Sequence, residues 1–173
     1  VPEGSHWMYI DADDELVGGE HLADAVKLLD EGGGTVVLPY EYSHNEYGKV
    51  TLHHTRERIF NGRLSWQWQD RVHEWAKAEE PAPYRFADRP VVKHHRQPEE
   101  ARTTRNTRLL ELMLEENPNN DRAVFHYADN LYAAGKYELA LDQYVRAHER
   151  EARDGREPWQ FHAATQAAAC CIK

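Results

Sequence analysis

Trp7-Met8-Tyr9-Ile10-Asp11-Ala12-Asp13-Asp14-Glu15-Leu16 is an apolar run that ends in four acids within five residues. The aromatic and β-branched members of its first four positions predict a buried strand, with the acids at its carboxyl end. Sheets of α/β proteins bind ligands at that end. Carboxylates crowded together repel one another, and a hard divalent cation with oxygen ligands is the usual offset. The alternative is a solvated acidic turn. An EF-hand loop is excluded, because its sixth position must be Gly and counting from Asp11 puts Leu16 there. The aspartyl-phosphate hydrolase motif is excluded too, since Asp14-Glu15 stands where it needs Thr or Val.

Composition narrows the classes. The chain has 173 residues, 40% hydrophobic and 29% charged, with mean hydropathy -0.86, enough for one domain or two small ones with a real core. No apolar run approaches the roughly 20 residues of a membrane helix. A net charge of -9 argues against nucleic-acid binding, which needs a cationic face. The only cysteines, Cys170 and Cys171, are adjacent and imply no disulfide framework, so a reducing, cytoplasmic setting is expected.

Outward from the acids, Leu22, Ala25, Val26 and Leu29 fall at helical spacing over Glu20 to Asp30, and Gly32-Gly33-Gly34 stops that helix rather than forming a phosphate loop. Thr35 to Tyr42 reads as a strand whose Pro39 suggests an edge or a bulge. Lys49 to Phe60 reads as one or two short strands. Arg56 and Arg58 then share one face, and salt-bridging at a sheet edge is as good an account of them as a binding role. Trp66 and Trp68 also share a face, more often core than a sugar-stacking surface. Pro90 to Arg96 reads as a final short strand on which His94 and His95 take opposite faces, so that only one points inward.

With these motifs in hand, Trp7 to Leu16 resembles the Asp-x-Asp segment of family 2 glycosyltransferases with the nucleotide-sugar-binding fold called GT-A. Thr55-Arg56-Glu57-Arg58-Ile59-Phe60 is similar to that family's Arg-x-Arg-Leu-Phe stretch, and Arg71-Val72-His73-Glu74 to its Val-His-Glu stretch, in the same order. The resemblance implies an α/β domain over residues 1–98 that transfers a sugar from a nucleotide-sugar donor to a glycan or protein acceptor with inversion. It implies Mn²⁺ or Mg²⁺ held by Asp13 with Asp11 and one of His94 and His95. Asp11, Asp13, Arg56 and Arg58 would face the donor. Glu74 would be the base that takes the acceptor proton, with Asp70 in reserve. The bland alternative pairs Glu74 with Arg56, Arg58 or Arg71. In the family the Asp-x-Asp segment lies midway through the catalytic domain, so the chain is expected to be the later part of a longer protein and inactive alone.

Residues 99–173 read as all-helical. Glu99 to Glu116 precedes an Asn117-Pro118-Asn119-Asn120 break, and Asp121 to Ala134 pairs with Lys136 to Arg153 across Gly135. Val124, Tyr127, Ala128, Leu131, Gly135, Tyr137, Ala140, Tyr144 and Ala147 resemble a tetratricopeptide repeat at the expected spacings. Pro158 to Ile172 would open another repeat, and its apolar face would need more chain, a protein partner or self-association. Two rivals remain: a repeat-based binding or scaffold protein with a dead transferase domain, and a metal-dependent hydrolase using the same acids with water as acceptor.

Overall fold

The computed structural model describes residues 5–95, 99–154 and 158–172. The described residues form a mixed α/β structure that divides into two compact units, Val1–Gln69 with Ala76–Gln97, and Asp70–Trp75 with Pro98–Lys173. No helix among them is long and apolar enough to cross a membrane.

The first unit is built on a sheet of β1 (Trp7–Met8), β2 (Asp14–Val17), β3 (Thr35–His44), β4 (Val50–Phe60), β7 (Tyr84–Phe86) and β8 (Val91–His94). The strand order is β1-β4-β3-β8-β2, and β7 also pairs with β3. β5 (Trp66–Gln69) and β6 (Trp75–Ala78) make a separate two-stranded ribbon. α1 (Leu22–Asp30), entered through a 3-10 turn at Gly19–His21, buries Ala25 and Leu29 in a core with Val36, Leu38, Tyr40, Ile59 and Val92. Those are the 3.6-period positions of the helix and the inward positions of the strands. Gly34 closes the helix-to-strand passage by close approach. Its N–H donates to Pro83 and its carbonyl accepts from Asn61, and a Cβ there would overlap the backbone of Ala82.

Three strand expectations change. The buried strand expected over Trp7 to Ile10 is only two residues long, because the chain leaves the sheet at Ile10, which is 42% exposed. The acids therefore do not end a central strand. Asp11 and Asp13 lie where the chain turns from β1 at one edge of the sheet to β2 at the other, and Asp14 and Glu15 open β2. Thr35–His44 is a central strand rather than an edge, and Pro39 falls between the residues paired to β7 (Thr35, Val36, Val37) and those paired to β8 (Tyr40, Glu41). That is where loss of an N–H disturbs least. The one or two short strands expected over Lys49 to Phe60 are a single long one, β4, antiparallel to β3 and carrying both Arg56 and Arg58.

In the second unit, α2 (Glu99–Glu116) packs on α3 (Asp121–Ala133), α3 on α4 (Tyr137–Asp154), and α4 on α5 (Pro158–Ile172). Asn120 caps α3 by accepting from the Ala123 N–H at 3.0 Å. Gly135 turns the chain with φ +73°. Val124, Ala128, Leu131, Ala140, Tyr144 and Ala147 are all buried in one core with Ala163 and Cys170. The small residues Ala128, Ala140 and Ala163 are fully covered, which is what close helix approach requires. Asp70–Trp75 belongs with these helices because Val72, 5% exposed, packs against Leu110, Met113 and Ala123. A division at residue 98 does not capture that segment.

Candidate metal centre

The acidic turn starts at Asp11, whose carbonyl accepts from the Asp14 N–H at 3.0 Å. Asp14 opens β2 directly opposite His94 of β8 in antiparallel register. Opposed residues present their side chains on the same face, and Nδ1 of His94 lies 3.0 Å from Oδ1 of Asp14 and 3.9 Å from Oδ1 of Asp13. Asp13, Asp14 and His94 each offer one ligand atom, all within 4.8 Å of one another. Hard carboxylate oxygens with one imidazole nitrogen suit Mn²⁺ well and Mg²⁺ through the oxygens. The imidazole is nearly buried, and its Nε2 has no hydrogen-bond partner among the described residues. The nitrogen that faces the two carboxylates is Nδ1, already bonded to Asp14, and the unpartnered Nε2 is the ring's other nitrogen, directed away from them.

Two further side chains reach the turn from the middle of the sheet. Tyr40 of β3 donates its hydroxyl to Oδ1 of Asp14 at 2.9 Å. Burial and that bond to a carboxylate push the phenol well above its ordinary range. Arg58 of β4 donates from Nη2 to Oδ2 of Asp14 at 2.9 Å and to Oδ2 of Asp11 at 3.1 Å. Val36 pairs with Ile59 and Val37 with Glu57, so Arg58 is the extra residue of a β-bulge. Bulges re-aim a side chain, and this one turns a fully buried guanidinium toward the acids. Its Cζ lies 4.5 Å from the centroid of the Tyr9 ring and 4.9 Å from that of Tyr40.

The residues singled out in the sequence are thus distributed as follows. Asp13 and His94 come together. Asp11 stays at the mouth, half exposed, tied to Arg58 rather than grouped with the ligand atoms. His95 takes the opposite face, as alternation requires, and lies exposed with Nε2 2.9 Å from Oε2 of Glu15, so the imidazole near the acids is His94. Arg58 reaches the acids, and Arg56 sits over the Tyr40 ring at 5.7 Å. Trp66 packs on Phe60 and donates its indole N–H to the Asn61 carbonyl, whereas Trp68 is 52% exposed.

Glu74 and Asp70 belong to the other unit. Glu74 is exposed. Asp70 is occupied as a tie between segments: Oδ2 accepts from the Trp75 indole at 2.9 Å and lies 3.2 Å from Nε of Arg122, and Oδ1 accepts from Asn120 at 3.3 Å. A carboxylate so engaged is poorly placed to take a substrate proton.

Asp14 and Tyr40 are the site residues that sequence reasoning passed over. Asp14 could have been found only from the β2–β8 register, which sets it opposite His94. Tyr40 carries no local signal, since a strand tyrosine reads as core. No family model matches the chain, and no curated protein matches it.

Proposed function

We propose that the chain is the metal- and acceptor-side part of a GT-A-type family 2 glycosyltransferase joined to tetratricopeptide-like repeats. The observation that carries this reading is the meeting of Asp13, Asp14 and His94 within 4.8 Å, drawn from segments about 80 residues apart in sequence. Arg58, from the second resembling motif, adds to it by reaching the first motif's Asp11 and Asp14. Four polar groups from three segments, the turn running into β2, β4 and β8, are what a phosphate-and-metal site requires.

In this reading Asp13 and His94 hold a divalent cation, and Mn²⁺ or Mg²⁺ bound there would offset the charge of the leaving nucleoside diphosphate. Asp14 anchors the turn. Arg58 keeps the carboxylates from repelling one another. Glu74, by its resemblance, takes the proton of the acceptor hydroxyl as that oxygen bonds to the anomeric carbon and the sugar–phosphate bond breaks. The helical repeats would carry the acceptor or a protein partner, on the strength of the α3–α4 core positions.

One observation favours the scaffold reading instead. Arg58 already supplies a counter-charge to two of the acids, so the turn can stay folded as a structural ion-pair network without a cation. Product analysis separates the readings. The chain is incubated with Mn²⁺, a panel of nucleotide-sugars and candidate acceptors. Glycosylated acceptor supports transfer, free sugar with nucleotide supports hydrolysis, and intact donor in every mixture supports the scaffold only from a chain that also binds no Mn²⁺, since the transferase reading expects the chain alone to bind the metal without turnover.

A further inference from the structure

Resting on the reading of the acidic turn as a cation site, we infer that Arg58 sets which cation the turn accepts, by cancelling one carboxylate charge from inside the fold. Three carboxylates, those of Asp11, Asp13 and Asp14, converge at the turn, and a single guanidinium nitrogen contacts two of them at 3.1 and 2.9 Å. An arginine does not lose its proton in a protein, so this positive charge is permanent. It is also immobile. The side chain is fully buried, aimed by the bulge in β4, and packed against the rings of Tyr9 and Tyr40.

Three negative charges and one fixed positive charge leave two, the charge that a divalent ion neutralises. Asp13 is the carboxylate that Arg58 does not touch, and it is a quarter exposed. The second feature pointing to a cation is His94, nine-tenths buried, whose Nδ1 lies 3.0 Å from Asp14 and 3.9 Å from Asp13, so that an imidazole and two carboxylates offer ligand atoms within 4.8 Å of one another. A cation entering beside Asp13 feels the repulsion of Arg58 in proportion to its own charge. The guanidinium therefore disfavours trivalent ions more than divalent ones of similar size and oxygen preference. Arg58 is a positioning and selectivity residue, acting through Asp11 and Asp14 and touching no ligand itself.

The test compares Mn²⁺ binding, followed by the paramagnetic resonance of the free ion, with Tb³⁺ binding, followed by sensitised luminescence, in wild type, Arg58→Met and Arg58→Lys. Arg58→Met keeps an apolar stem between Tyr9 and Tyr40 and removes the charge, and Arg58→Lys keeps the charge and loses the fork. The Tb³⁺-to-Mn²⁺ affinity ratio should rise about tenfold or more in Arg58→Met, equivalent to about 1.4 kcal/mol, and stay within about threefold of wild type in Arg58→Lys. A purely structural role would weaken both ions together and leave the ratio where it was. Circular dichroism checks folding, and Arg58→Gln, polar and uncharged, replaces Arg58→Met if the latter loses its sheet. A wild-type chain that binds neither ion overturns the cation reading itself. Wild-type binding of Mn²⁺ with an unchanged ratio in the folded neutral variant overturns the assignment to Arg58 alone.

Discussion

Tyr40→Phe isolates one bond of the centre. The hydroxyl donates to Oδ1 of Asp14 at 2.9 Å, and the Asp14 side chain has no solvent exposure. Phenylalanine preserves the ring against Arg58, 4.9 Å from its centroid, and against His94, 6.0 Å between centroids. A hydrogen bond to a charged group contributes about 1.5–3 kcal/mol. Asp14 keeps Arg58 and His94 as partners, so its carboxylate is not left bare, and the loss belongs at the lower end, about 1.5 kcal/mol. Urea unfolding followed by tryptophan fluorescence measures it, since Trp7, Trp66, Trp68 and Trp75 lie in strands. The same substitution in an Asp14→Asn background completes a double-mutant cycle, in which the two losses should couple by about 1 kcal/mol. Strict additivity, or a single-mutant loss under about 0.5 kcal/mol, would falsify the claim that Tyr40 supports the acidic turn.

Gly34→Ala should cost more than Gly135→Ala. The first sets a Cβ into the Ala82 backbone, whereas the second meets no atom within 4 Å and loses only about 1 kcal/mol for its φ of +73°; urea midpoints of the two variants give the ranking. In the helical unit, burial raises the Asp129 carboxyl above its ordinary range, and the Tyr144 hydroxyl at 2.6 Å opposes that only in part. A carboxyl raised in the folded state binds its proton more tightly there than when unfolded, so this group adds stability as pH falls from neutral toward the ordinary Asp range. Asp129→Asn should flatten that slope in urea titrations at neutral and mildly acid pH. Burial and the bond to Asp129 also raise the Tyr144 phenol, so alkaline spectrophotometric titration should find it ionising later in wild type than in the unfolded chain.

Periodicity carries information where an element meets one partner surface, and there the sequence was legible. Leu22, Ala25, Val26 and Leu29 marked α1, and the spacing of Val124, Ala128, Leu131, Ala140 and Tyr144 marked the α3–α4 pair with Gly135 at its turn. Asp13, Arg58 and the pair His94 and His95 were singled out through the segments that resemble the glycosyltransferase motifs, with salt-bridging an equal account of Arg58 and the choice between the two histidines left to strand alternation. Pairing decisions were not. The length of β1, the bulge that buries Arg58 and the register that sets Asp14 opposite His94 depend on strands far apart in sequence. Tyr40 and the packing of Val72 among the helices fall in the same class: what decides them is the neighbour, not the local pattern.

The most direct test of the account is Mn²⁺ binding to this chain, measured by calorimetry, in wild type, Asp13→Asn and His94→Ala, with far-UV circular dichroism to confirm that all three are folded. The account predicts a single site in wild type, lost in Asp13→Asn and weakened about tenfold or more in His94→Ala, as removal of one ligand or its orienting partner commonly does. Absence of binding in wild type, or binding that neither substitution alters, would contradict the assignment of Asp13 and His94 as a metal centre.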